Sequence, residues 1–445
     1  MIKLLHSLIY FTQINLMHKC TQILLVLFVS MPHTSKCQNY TSYMTGNPND
    51  TVISVLPAIV LAGGGTDNDD AMKWMLNRAR GGDVVVIRAS GSDGYNSYFF
   101  SELGVQVNSV ETILFKNKAA ASEPYILDRL RKAELVFIAG GDQGKYYDYW
   151  HDTETGEVLK EICLARNKVI GGTSAGQMIL GNIVYAPTGD GVTSAEALTN
   201  PFHPNVAEIR YDFLRTDIFT NTIFDSHFDN RDRAGRLMVF LAKTANEHNI
   251  RARAIACNES TAVCIDEHNI ATIFGETPQY NEYAYFIEVN CEEAWKPQVV
   301  ESGKPVHWSL PSENAVIVQR MDGTKTGEVK FDMNTWQPVT NAIFSHWQIN
   351  QGVLEKESAT NNNCSTTTSA ANDLISISNE IYPNPTNSVL NFPLSDIATL
   401  RTLNGQDIDS CRNCSSFNLR LFNDGILLLV LQNGNHQSIK KVIKN

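Results

Sequence analysis

The 445-residue sequence predicts an α/β protein whose core is a parallel sheet covered by helices, followed by a small all-β sandwich. Three observations lead there. Short apolar runs (Ala58-Ile-Val-Leu-Ala62, Asp83-Val-Val-Val-Ile87, Glu111-Thr-Ile-Leu-Phe115, Glu134-Leu-Val-Phe-Ile-Ala139) alternate with helix-patterned stretches. Near-continuous Val/Ile/Leu strands of this kind are buried on both faces. These runs, and the one at Val169-Ile170, lead into four glycine-rich loops, 63–70, 89–95, 140–144 and 171–176. Loops at the carboxyl ends of parallel strands build ligand sites, and glycine lets backbone approach a ligand closely. Finally, residues 373–445 carry short strand-like segments with turns such as Asn404-Gly405 and Asn433-Gly434, which predict the second, all-β unit.

In order, residues 1–37 read as a signal peptide. The apolar run Ile23-Leu-Leu-Val-Leu-Phe-Val29 follows His18 and Lys19 and is too short to span a bilayer. Cleavage is expected near Cys37-Gln38. Residues 38–55, polar and turn-rich, read as a leader, and 56–350 as the catalytic domain. Within it the predicted helices cover 71–80, a stretch through Ile126 to Lys132, 156–166 and 237–246. Residues 253–265 read as two buried strands joined by a polar turn holding Asn258 and Glu259. Residues 351–372 form a linker rich in Thr, Ser and Asn towards its end.

A net charge of −11 excludes the basic surplus that phosphate backbones require, so no nucleic-acid partner is expected. Gly63-Gly-Gly65 before a helix lacks the P-loop lysine and the dinucleotide glycine spacing, which argues against nucleotide binding. Asp67, Asp69 and Asp70 fit the first turn of a helix better than a metal site, since no His or Cys accompanies them. No cofactor and no metal are expected. Of nine cysteines, removing Cys20 and Cys37 leaves an odd seven, so at least one thiol stays free or pairs between chains. Cys411-x-x-Cys414 reads as a local disulfide or two unpaired thiols.

The chemistry centres on Gly172-Thr-Ser-Ala-Gly176, a G-x-S-x-G pattern between a short strand and a helix starting near Ala175. A serine on such a corner projects its hydroxyl from the sheet edge, and the amide after it lies where a helix N-terminus favours an oxyanion. The hydroxyl needs a base, and the base an orienting group. His227 stands out among the histidines because a charge-dense loop follows it and a short apolar strand precedes it.

Four motifs then occur in a telling order: Gly140-Gly-Asp-Gln143, Gly171-Gly-Thr-Ser-Ala-Gly176, Asp225-x-His-Phe228 with Arg231-x-Arg233-x-x-Arg236, and Glu259-Ser-Thr-Ala262. Over residues 55–300 the chain resembles the serine peptidase family containing cyanophycinase and the Asp-specific dipeptidase E. The resemblance implies a flavodoxin-like fold similar to class I glutamine amidotransferase domains. It also implies Ser174 as nucleophile, His227 as general base and then acid, and Glu259 as the orienting carboxylate. Ala175, with Gly141 or Asp142, would supply the oxyanion amides. Gln143, Asp225, Ser226, Arg231, Arg233 and Arg236 would contact substrate. The order Ser…His…Glu differs from the Ser…Asp…His of α/β-hydrolases.

The charges suit an aspartyl substrate bearing arginine, since carboxylates fit arginine forks and guanidinium groups fit Asp or Glu. A plainer reading makes Asp229/Arg233 and Asp232/Arg236 exposed helix pairs, worth roughly 0.2–0.5 kcal/mol each. Two departures from cyanophycinase fall on the substrate side: Ser226 stands where a glutamine is expected, and residues 208–221 look remodelled. At the C-terminus, Ile381-Tyr-Pro-Asn-Pro, Leu403-Asn-Gly-Gln406, Asp424-Gly-Ile-Leu427 and Lys440-Lys-Val-Ile-Lys444 resemble the type A sorting domain of type IX secretion. That implies export through the outer membrane and the secretion machinery as a partner; an adhesive carbohydrate-binding module is the alternative. The expected protein is a secreted serine exopeptidase acting on an aspartyl peptide or polymer. Its products from cyanophycin would include β-Asp-Arg. Aspartyl dipeptides are the second substrate, a non-catalytic binding protein the alternative class, and homodimerisation stays open.

Overall fold

A computed structural model describes residues 38–206, 208–310, 315–359, 389–402, 406–419, 425–433 and 436–444. The signal-peptide segment, residues 360–388 and the turn glycines Gly405 and Gly434 lie outside the described residues. The chain divides into two compact units, Met1–Ser365 and Thr366–Asn445.

In the first unit the strands are β1 (Tyr40–Gly46), β2 (Ala58–Ala62), β3 (Asp83–Arg88), β4 (Ser109–Phe115), β5 (Leu135–Ile138), β6 (Val169–Thr173), β7 (Val184–Tyr185) and β8 (Ile209–Arg210). They continue as β9 (Thr222–Asp225), β10 (Arg253–Cys257), β11 (Ala262–Ile265), β12 (Ile270–Phe274), β13 (Tyr283–Val289) and β14 (Val316–Asp322). The last are β15 (Val329–Asp332), β16 (Gln337–Pro338), β17 (Ile343–Asn350) and β18 (Val353–Ala359). The helices that position the site are α1 (Asp69–Arg78), α2 (Pro124–Lys132), α3 (Gln143–Trp150), α4 (Glu154–Ala165), α5 (Ala175–Met178) and α6 (Ala234–His248).

Two sheets carry the unit. The larger runs β1-β4-β3-β5-β6-β2-β11-β12-β15-β16, and the second runs β18-β17-β14-β13-β10-β9. The block β4-β3-β5-β6-β2 is parallel, as the apolar runs require, while the flanking strands are antiparallel. Side-chain alternation explains why β2 reads as wholly apolar. Ile59 and Leu61 enter one core with Val85, Ile138 and Phe224, whereas Ala58, Val60 and Ala62 pack with Met72, Met75 and Leu76 of α1 on the opposite face. A third core covers the second sheet with α6, through Leu237, Phe240 and Leu241.

Three expectations change. Residues 38–55 are not simply a leader, because β1 pairs antiparallel with β4 along its whole length. Its polar character is that of an edge strand: the Ser42 hydroxyl donates to Glu111, and the Asn96 amide donates to Tyr43 O and Thr45 Oγ1. The linker cannot begin at 351, since β18 pairs with β17. β10 and β11 are the two buried strands expected in 253–265, and the turn between them carries the chain from the second sheet to the first. The C-terminal unit is a single four-stranded antiparallel sheet among the described residues, not a two-layer sandwich. Its order is β20-β19-β21-β22, with β19 Val389–Thr402, β20 Asp407–Asn418, β21 Gly425–Asn433 and β22 His436–Lys444. Leu400, Phe417, Leu427, Leu429, Leu431 and Val442 share one core, so one apolar face suffices.

Cys163, Cys257 and Cys264 are buried and free, while Cys291 and Cys411 are each disulfide-bonded. Among the described residues no helix is long and apolar enough to cross a membrane.

Candidate active site

Ser174 closes β6 and opens α5 with φ +54° and ψ −117°. Holding a side-chain-bearing residue there costs roughly 1–3 kcal/mol, so the surroundings must impose it. They do so by close backbone approach. A Cβ on Gly172 would lie 2.4 Å from the Gly176 carbonyl carbon and oxygen, and one on Gly176 would lie 1.9 Å from Ile138 O. Both glycines of the pattern are therefore steric requirements of the corner.

The loop after β2 fixes the rest. Ala62 O accepts from Ser174 N–H (2.9 Å), Gly63 O from His227 N–H (2.9 Å) and Gly64 O from Ser260 N–H (3.0 Å). Three successive carbonyls thus pin three segments, and His227 (φ +46°) and Ser260 (φ +58°) are themselves left-handed. In sequence these glycines raise only the question of phosphate binding and conceal this role. Three consecutive glycines straight after a buried strand were the available signal. Gly64, at φ +89°, has no room for a side chain: a Cβ would sit 2.5 Å from His227 Nε2 and 2.8 Å from Ser174 Cβ. Gly64→Ala is expected to lower kcat/KM by about 10²-fold or more, the usual effect of a misplacement near 1 Å. Steady-state kinetics on folded protein checks this.

His227 follows β9 and Glu259 follows β10, so the second sheet delivers both to the serine at the end of the first. Ser174 Oγ lies 2.7 Å from His227 Nε2, and His227 Nδ1 lies 2.6 Å from Glu259 Oε1. An ionised carboxylate only accepts, so Nδ1–H donates to Glu259 and Nε2 is left to accept from the hydroxyl. Phe228 anchors the histidine loop, its ring buried against Tyr285 and Trp347. Asn258 clasps that loop to the Glu259 turn: Asp229 N–H donates to Asn258 Oδ1 (3.1 Å) and Asn258 Nδ2 donates to Asp229 Oδ2 (3.0 Å). Glu259 N–H donates to Asn230 Oδ1 (2.9 Å) beside it.

Burial pushes the His227 imidazole below its ordinary range; the bond to Glu259 opposes this, and the charges of Arg231 and Arg233 add to the lowering. A base works in its neutral form, so activity should fall as pH drops through the His227 pKa. Removing one lowering charge raises that pKa. Arg231→Gln is thus expected to move the acid limb of kcat/KM to higher pH, and a shift to lower pH would contradict this placement.

The predicted substrate contacts divide. Asp225, Ser226 and Arg236 are buried, not pocket-facing. Arg236 Nε donates to Asp225 Oδ2 (2.9 Å) and its Nη2 to Asp225 Oδ1 (2.5 Å), a bidentate fork that occupies both charges. Arg233 joins them: its Nη1 donates to Ser226 O (2.7 Å) and lies 3.4 Å from Asp225 Oδ1. Burial, with Arg236 and Arg231 nearby, draws the Arg233 guanidinium down to about 10, against the pull of Asp225. The exposed i,i+4 pairs do not form either, because both arginines turn towards Asp225. Arg231 is exposed, and its N–H donates to His227 O (3.0 Å). Gln143, half-buried, begins α3.

Of the predicted oxyanion donors, Ala175 starts α5, where amides have no intrahelical acceptor. Asp142 spends its carboxylate capping α3, accepting from Gly144 N–H (2.9 Å) and Lys145 N–H (3.2 Å). Gly140 lies across Ser174, with a Cβ position 3.5 Å from Ser174 Cβ, while Gly141 faces Tyr146 and Ser90. Among the described residues no group of three or more His, Cys, Asp or Glu is placed to hold a metal ion.

The chain is similar to cyanophycinases. One from Trichormus variabilis is 26% identical over 143 residues, covering 32% of this chain and 44% of the relative. One from Synechococcus elongatus is 23% identical over 197 residues, covering 43% and 56%. One from Geminocystis herdmanii is 26% identical over 199 residues, covering 42% and 68%. The chain thus spans about half the length of these first two relatives. A solved structure titled a putative peptidase E protein from Listeria monocytogenes overlays with a TM-score of 0.32 at 17% identity, covering 50% of this chain and 100% of that one. Residues 380–445 match the secretion system C-terminal sorting domain, which directs export by type IX secretion to the cell surface or medium. Residues 60–273, just under half of the chain, match the model of peptidase family S51.

Proposed function

We propose that the chain is a secreted serine exopeptidase that hydrolyses aspartyl peptides through an acyl-enzyme on Ser174, with cyanophycin, a polyaspartate backbone bearing arginines, as favoured substrate. The observation that carries this reading is the hydrogen-bonded line Ser174–His227–Glu259. His227 takes the hydroxyl proton as Ser174 attacks the scissile carbonyl, then gives it to the leaving amine. Glu259 keeps the imidazole in the productive tautomer. The Ala175 amide, with one from the 140–142 loop, receives the oxyanion. Water then deacylates the serine, with His227 again as base.

The cyanophycinase relatives favour the polymer. With Asp225, Ser226 and Arg236 turned inward, substrate recognition on the histidine side rests on Arg231, with Gln143 across the site. A smaller set of exposed charges also suits a dipeptide, so aspartyl dipeptides are the second reading. The test incubates the mature protein and Ser174→Ala with cyanophycin and with Asp-X dipeptides and identifies the products. β-Asp-Arg released by the wild type alone supports the first reading, and dipeptide cleavage without polymer cleavage supports the second. Equal activity in Ser174→Ala overturns both.

A further inference from the structure

Gln177 is wholly buried on α5, three residues after Ser174. Its amide nitrogen donates to Asp225 O (3.2 Å) and to Cys257 Sγ (3.5 Å). A carbonyl oxygen only accepts, so the nitrogen of the amide must be the end that faces Asp225. Asp225 is the last residue of β9 and Cys257 the last of β10. His227 lies two residues beyond the first and Glu259 two residues beyond the second. One side chain on the helix that opens at the serine therefore touches both strands of the second sheet that deliver the base and its orienting carboxylate.

The contact continues into the first sheet. Cys257 Sγ donates to Leu61 O (3.7 Å), and burial keeps this thiol protonated by pushing it up to about 12. A protonated thiol can accept from the Gln177 amide while donating to Leu61. The next carbonyl along β2, Ala62 O, accepts from Ser174 N–H (2.9 Å). A closed circuit thus runs from Ser174 through Gln177, Cys257 and β2 back to Ser174, crossing between the two sheets on the way.

The other half of the amide is unmet. Gln177 Oε1 is buried and has no hydrogen-bond partner among the described residues. A dry carbonyl oxygen costs stability that an apolar side chain of the same length would not. Filling the core therefore does not explain an amide at this position, whereas the two bonds from its nitrogen do.

We infer that Gln177 is a positioning residue that sets the spacing between the Ser174 corner and the two strands bearing His227 and Glu259. The inference rests on the Ser174–His227–Glu259 line of the proposed function and holds whichever peptide is cleaved. Gln177→Met tests it, because methionine keeps the length and removes both the donor and the dry oxygen. Its melting temperature is expected to equal or exceed that of the wild type. Fluorophosphonate labelling of Ser174, which needs no peptide substrate, should nevertheless slow by about 10–100-fold, the effect of a misplacement approaching 1 Å. In a His227→Ala background the same substitution should alter the labelling rate by less than about twofold, since no base is left to position. Gln177→Leu replaces Gln177→Met if the latter melts early, with all rates taken at a temperature where each variant is folded. Labelling at the wild-type rate, or equal slowing with and without His227, overturns the positioning role and leaves the serine–histidine reading standing. Equal labelling of wild type and His227→Ala overturns that reading and the positioning role with it.

Discussion

Ser174→Ala is expected to lower kcat by on the order of 10⁴–10⁶-fold with its melting temperature nearly unchanged. The size follows from geometry. The hydroxyl is 2.7 Å from His227 Nε2, and the tight corner at Ser174 presents it there. Without the oxygen there is no acyl-enzyme, and only oxyanion donation and substrate binding remain. His227→Ala should cost about as much, and the double variant little more, because nucleophile and base act as a unit. Glu259→Ala should cost less, since the imidazole keeps its reach to Ser174 and loses only its tautomer and orientation. A combined loss equal to the product of the single losses would show that these groups act independently. Single-turnover kinetics on the three variants decides between the two outcomes.

Asp225→Ala should instead act on stability. It leaves Arg236 buried without a counter-charge and removes the partner of Arg233, and breaking a buried pair costs about 3–5 kcal/mol. For a unit of this size that lowers the melting temperature by on the order of 10 °C. A residue in contact with substrate would behave differently, raising KM while the melt stayed put. Thermal denaturation set beside KM therefore separates the two roles. Arg231→Ala is the natural contrast, because its exposed guanidinium has little folding energy to lose.

Much of the fold was legible because burial on both faces leaves a plain mark. The runs at 58–62 and 84–87 are apolar throughout, with strand ends predicted to within a residue or so. β1 escaped notice for the opposite reason. An edge strand with one wet face carries Thr, Ser and Tyr, which in sequence resemble a polar leader. The separation of β10 from β11 was hidden as well, since two apolar runs joined by a four-residue turn look like a hairpin. Only the sheet partners show that the turn crosses layers and thereby sets Glu259 against His227. Within the site, Ser174, His227 and Glu259 came from ordered motifs. Asp225 and Arg236 were misassigned because charge alone does not say which way a side chain turns. Their fork is a contact between residues eleven apart, across a loop whose left-handed turns at His227 and Asp232 no local pattern announces.

In the proposed mechanism the Ser174 hydroxyl oxygen attacks and His227 is the base that activates it. Covalent labelling of the folded protein with a fluorophosphonate, mapped by tandem mass spectrometry, addresses it most directly. A single adduct on Ser174, formed readily in wild type and at least about 10²-fold more slowly in His227→Ala, is the predicted result. An adduct on another residue, or equal labelling rates with and without His227, would contradict it.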